Sequence, residues 1–156
     1  MNITELAQHL VGENMAVTHP SPGCSVCRVE EDAGAMEMTI YDVYPGICLV
    51  YNDVRIPYCT VAIDHTVGNV IEIAHCRRGR IECRDGENYF YLTQGDISIR
   101  KKTGAGRKLE FPLSHYHGLA ILIDLDRIPR CLGCLLDGVD IDPACLVEKF
   151  RLEEHH

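Results

Sequence analysis

Apolar and polar residues alternate with a period of two through most of this chain. Met36, Met38 and Ile40 alternate with Glu37, Thr39 and Tyr41, the pattern of a strand with one buried face. Pro45-Gly46 turns the chain into a second run at 47–51, and others follow at 58–63, 70–76, 80–84, 88–92, 96–100 and 115–125. Asp85-Gly86 between two alternating runs predicts a tight hairpin, because both turn positions must accept positive φ. Gly95-Asp96 marks a second corner, His19 to Gly23 reads as a turn-rich break, and Gly104-Ala-Gly106 reads as a flexible loop. Many short strands with turn residues between them predict an antiparallel sandwich or barrel.

The period changes at both ends. Leu6, Leu10 and Val11 fall at helical spacing before Gly12, which predicts a short N-terminal helix. After Asp126, Ile128, Cys131, Leu132 and Leu135 fit one helical face. Asp142-Pro143 then reads as a cap with proline at the first helical position, opening a helix through Leu146, Val147 and Phe150. The expected organisation is a β-barrel over residues 1–125 and a helical segment of the same domain over 126–156. A length of 156 residues suits one domain with a sizeable core, and 46% apolar with 24% charged residues suits a globular one.

Charge narrows the partners. Asp and Glu number 23 against 15 Lys and Arg, a formal charge of -8, which makes a poor stand-alone binder of nucleic acid. Arg77-Arg78-Gly79-Arg80 and Arg100-Lys101-Lys102 are the basic clusters, and both read as solvated strand ends. No apolar run has the length to span a bilayer, and the N-terminus lacks a basic flank and an apolar core of a signal peptide. The expectation is a cytoplasmic protein without a membrane partner.

Nine cysteines in such a compartment are expected to be reduced. Cys48, Cys59, Cys76 and Cys83 lie in strand-like runs and read as small apolar filler. Cys24-Ser-Val-Cys27 and Cys131-Leu-Gly-Cys134 have the spacing of a redox or zinc pair, although packing is the favoured reading for both. His115 and His117, two apart, share one face of a strand.

Glu72, Gly79 and the Gly95-Asp96 corner are spaced as in the small β-barrels called cupins. Together with the runs at 46–53 and 111–124, this segment resembles the cupin-like sensor domain of AraC-type transcriptional regulators. The resemblance implies a mainly β, jelly-roll barrel followed by helices that form a homodimer. It also implies a small-molecule effector inside the barrel, and DNA contacts through a C-terminal helix-turn-helix domain not found in this chain. Glu72, Tyr89, Tyr91, His115 and His117 are the polar side chains expected near such a ligand.

A metal-dependent cupin enzyme, a dioxygenase or isomerase, is the second reading. Its first motif would place histidines at 65 and 67 and a carboxylate at 72, and its second a histidine at 98. Here His65 and Glu72 are kept, while Val67 and Ser98 replace ligands. With two of four ligands lost, no cofactor and no catalysis are expected; a rescued divalent-metal site would draw on His65, Glu72, His115 and His117. A thiol-based redox or zinc sensor on the same barrel is the third reading.

Overall fold

The computed structural model describes residues 16–61, 69–85, 88–102 and 107–128, together with Cys145, Glu148 and Lys149. Ten strands account for most of them: β1 (Ala16–Ser21), β2 (Cys24–Glu31), β3 (Gly34–Tyr44), β4 (Ile47–Arg55), β5 (Tyr58–Val61), β6 (Val70–Asp85), β7 (Asn88–Thr93), β8 (Ile97–Lys101), β9 (Arg107–Glu110) and β10 (Tyr116–Asp124). All pairings are antiparallel, and the strands run β1-β2-β3-β4-β10-β6-β9-β5, with β7 and β8 also on β6. The first half of β6 pairs with β10 and β8, and its second half with β7 and β9. One strand therefore belongs to two facing sheets, and the assembly curls around a shared core.

The curl originates at Gly79. Its φ is +84°, and a methyl group there would run into the carbonyl oxygen of His115. Only glycine fits both conditions. A register shift beside it, between His117 and Gly118 on β10, bends the strand further. The sequence pattern predicts two strands here, at 70–76 and 80–84, and the structure joins them into one bent strand. Gly95 (φ +93°) closes the neighbouring corner: its N–H donates to the Cys76 carbonyl at 2.8 Å, and the Cys76 N–H donates to the Asp96 carbonyl at 3.0 Å. The Asp96 carboxylate accepts from the Thr93 N–H at 2.7 Å and the Thr93 hydroxyl at 2.9 Å, which holds its pKa below the usual value.

Paired residues share a face, so register identifies the interior. Cys27 lies opposite Met38, Ile40 opposite Val50, and Val50 opposite Ala120; all five are buried. Phe111, Ile56, Cys59 and Leu92 complete this core. Cys59, Cys76 and Cys83 pack as apolar side chains, as expected.

Three strands escape the sequence pattern. β1 contains Pro20 and survives as an edge strand with one partner. β2 buries Ser25, Cys27 and Val29, a face with one strong β-former, and it absorbs the first cysteine pair. β9 is four residues with three charges. The helices expected at 4–11, 128–135 and 142–150 fall outside the described residues apart from Ile128, Cys145, Glu148 and Lys149, and those are too few to show a helix. Among the described residues no helix is long and apolar enough to cross a membrane.

Gly79→Ala and Gly95→Ala separate backbone strain from steric conflict. Gly95 has nothing within 4 Å of an added methyl, so Ala there should cost roughly 1–2 kcal/mol from φ alone. Gly79→Ala should cost clearly more in urea unfolding; equal losses would contradict a corner set by contact with His115.

Candidate functional site

The inner face of β8, β6 and β10 carries a charged pair beside a floor of small residues. Glu72 lies opposite Arg100 on β8 and Leu122 on β10. Ala74 lies opposite Ser98 and Ala120, and Cys76 opposite Gly118. Burial of Glu72, Ala74, Cys76, Ala120 and Leu122 marks this as the interior side. At Gly118 an added methyl would strike the Tyr116 hydroxyl, so the Tyr116 ring folds back over the glycine. Burial, reinforced by Cys76 and Glu72, pushes the Tyr116 pKa well above its ordinary value, and the phenol stays a protonated donor at neutral pH.

A carboxylate at this depth needs partners. Arg100 donates to Glu72 Oε2 through both Nε and Nη2, and Lys102 Nζ lies 3.7 Å from Oε1. The Glu72 side chain is 11% exposed and that of Arg100 is 27% exposed, so solvent screening of the pair is partial. The Arg100 guanidinium also sits 4.5 Å from the centre of the Phe90 ring on the opposite sheet. The basic run at 100–102 is therefore not a solvated strand end: Arg100 and Lys102 both pair with a buried carboxylate. Two positions from Arg100 on the same face, Ser98 Oγ is buried with no hydrogen-bond partner among the described residues. Such a hydroxyl costs about 1–3 kcal/mol unless a water or ligand satisfies it.

The residues expected from sequence are not gathered in one place. Glu72 is in the interior site, and His65 lies outside the described residues. Tyr89 and Tyr91 are 49% and 52% exposed. Arg80 stacks 4.4 Å from the Tyr91 ring centre and pairs with Glu82 at 2.6 Å, while hydrogen bonds from Tyr89 and Arg80 lower the Glu82 pKa. Tyr116 is buried in the core, so alternation directs His117 to the outer face. There His117 Nε2 lies 3.1 Å from Asp53 Oδ1, and its ring is 4.8 Å from that of His115. Glu72 and the two histidines are thus on opposite faces of the sheet. Among the described residues, no group of three or more His, Cys, Asp or Glu is placed to hold a metal ion.

The first cysteine pair is divided in the same way. Cys24 and Cys27 stand three residues apart on β2, which puts them on opposite faces and about 10 Å apart along the strand. That geometry separates the two sulfurs too far for a disulfide or a shared zinc ion. Burial raises the pKa of Cys27 and Cys76; Cys48 is pushed up to about 11, by burial first and then by Asp42. Cys131 and Cys134 lie outside the described residues.

Arg100, Lys102 and Tyr116 are site residues that the sequence does not reveal, and Ser98 is read there only as a lost metal ligand. The available signal is that Ser98 and Arg100, two apart on one strand, share a face, but which face that is depends on their pairing with Ala74 and Glu72. It becomes readable only once the β6–β8 register is known.

No known protein family and no curated protein matches the sequence. Partial likenesses among solved structures include an HTH_3 family transcriptional regulator from Vibrio cholerae, with 15% identity and a TM-score of 0.44 over 56% of this chain and 51% of that one. A putative ethanolamine utilization protein Q from Salmonella typhimurium has 10% identity and a TM-score of 0.46 over 70% of this chain and 93% of that one. A Cupin 2 conserved barrel domain protein from Salinispora arenicola has 13% identity and a TM-score of 0.43 over 71% and 83%. This chain spans about half the length of the Vibrio regulator. Likeness at this level assigns neither family nor function.

Thiol labelling tests the cysteine placement. Exposed Cys145 should react with iodoacetamide in the native protein, while Cys27, Cys76 and Cys83, each 0% exposed, should react only after unfolding. Native labelling of Cys27 or Cys76 at the rate of Cys145 would contradict it.

Proposed function

We propose that this chain is a small-molecule-sensing domain of the cupin type, serving a transcriptional regulator of the AraC kind. The observation that carries the reading is Ser98 Oγ, buried and unpartnered among the described residues on the face that holds the Glu72–Arg100 pair. Small residues at 74 and 120 leave the floor low beside the Tyr116 ring, and a few polar groups among apolar walls are what an orienting pocket requires. Retained punctuation at Glu72, Gly79 and Gly95-Asp96 supports the cupin reading, and Gly79 and Gly95 both have the positive φ that such corners need.

The reading has a simple mechanism. An effector that hydrogen-bonds Ser98 and contacts Arg100 ties β8 more firmly to β6, and so favours one arrangement of the curled sheet. Regulation then requires only that the effector bind one arrangement better than another. With a formal charge of -8, DNA contact falls to a separate basic domain of the regulator.

Thermal unfolding across a panel of sugars, amino acids and short peptides tests this proposal. A ligand should raise Tm in a concentration-dependent way. Ser98→Leu, which fills the floor, should abolish that shift while leaving the β-sheet circular dichroism intact. Retention of the full shift in Ser98→Leu and in Arg100→Met would place binding elsewhere and overturn the site. A stoichiometric iron or manganese ion, lost in His115→Ala/His117→Ala, would overturn the sensor in favour of a metal enzyme.

A further inference from the structure

The sheet formed by β5, β9, β7 and the second half of β6 presents an outer face on which like charges stand side by side. Cys59, Cys83 and Leu92 are buried, and Phe90 and Leu109 pack against the same core. Alternation along each strand therefore turns their neighbours outward. Register arranges these in two rows across β7, β6, β9 and β5. One row runs Tyr91, Glu82, Glu110, Tyr58, and the next runs Tyr89, Arg84, Lys108, Thr60. The first row sets two carboxylates directly opposite each other, and the second sets two cations so.

Like charges directly opposite on paired strands are unfavourable. Relief within the chain runs along the strands: Arg80 pairs with Glu82 at 2.6 Å, and Lys108 with Glu110 at 2.7 Å. Arg84 is exposed and makes no ion pair among the described residues; its guanidinium lies 5.8 Å from the Tyr89 ring centre. Tyr58, Tyr89 and Tyr91 are each about half exposed. Exposed tyrosine beside arginine is the composition that protein interfaces favour over the rest of a surface.

The order of the rows selects the partner. A two-fold axis lying across the strands, between the two rows, lays each strand antiparallel over its own copy. Glu82 then meets the partner's Arg84, Glu110 meets the partner's Lys108, and Tyr91 meets the partner's Tyr89. An axis lying along the strands fails, because it sets Glu82 on the partner's Glu110 and Arg84 on the partner's Lys108. We propose that the outer face of β5, β9, β6 and β7 is a contact surface between two copies of this chain, related by the axis across the strands. One face supplies both halves of such a contact. It is about 14 Å wide across four strands, small against a standard interface, so the dimer is weak and its charge pairs make it salt-sensitive. This contact differs from the helix-mediated homodimer that the family resemblance implies, and it holds whether or not the interior takes a ligand.

Sedimentation velocity of the full chain tests the proposal. The unmodified chain should dimerise at low ionic strength, with Kd rising roughly tenfold between about 0.05 and 0.5 M NaCl. Glu82→Lys/Glu110→Lys makes both rows basic, and Arg84→Glu/Lys108→Glu makes both acidic. Each double variant alone should sediment as a monomer, and an equimolar mixture of the two should form a heterodimer. Glu82 also holds Arg80, so if its variant does not fold, Glu110→Lys and Lys108→Glu on β9 give the same reciprocal test. An unmodified chain that stays monomeric at millimolar concentration and low salt would overturn the proposal. Variants that dimerise as the unmodified chain does, or a mixture that stays monomeric, would overturn it as well.

Discussion

A backbone held at φ +84°, with the His115 carbonyl lodged where a side chain would begin, is open only to glycine. At Gly79 that constraint turns β6 from one sheet into the other. Without the turn, the Val70–Cys76 half and the Arg80–Asp85 half would lie in one plane, and the residues on their inner faces would not meet. Phe90 would then lie away from Arg100, and the guanidinium would lose the ring it rests on. The Cys76 thiol, which reaches the carbonyls of Arg78 and Gly79 at 3.7 and 3.5 Å, lies across the same bend.

Burying Glu72 is tolerable because, among the described residues, Arg100 from the next strand and Lys102 at its exit converge on it. Removing either partner of a buried pair strands the other, so this cluster is costly to break although the pair itself adds little net stability. Its position on the inner face, one residue away from Ile71 and Ile73 on the outer face, makes β6 a wall one strand thick.

Much of the scaffold was legible in the sequence, and the chemistry was legible only in part. Alternation at 36–40 and 115–125 located the central strands, and glycine placement located the corners. Glu72 was identified because its spacing to Gly79 is a property of the chain alone. The sequence places Arg100 and Lys102 at a solvated strand end, where charge ordinarily sits; what turns them inward is a partner 28 and 30 positions away. Tyr89, Tyr91 and His117 share residue types with a binding site but have the wrong parity, and parity is fixed by register and not by composition. The division of Cys24 from Cys27 has the same origin: the spacing suits a turn or a helix, and the chain makes a strand.

The proposed ligand site is the interior floor beside Glu72 and Arg100. Amide chemical-shift mapping with a small molecule that binds the protein tests it most directly. The largest shifts should fall at Ala74, Ser98, Arg100 and Ala120, with little change at Tyr89, Tyr91 and His117. Shifts concentrated on the exposed tyrosines, or on His115 and His117 beside Asp53, would contradict it.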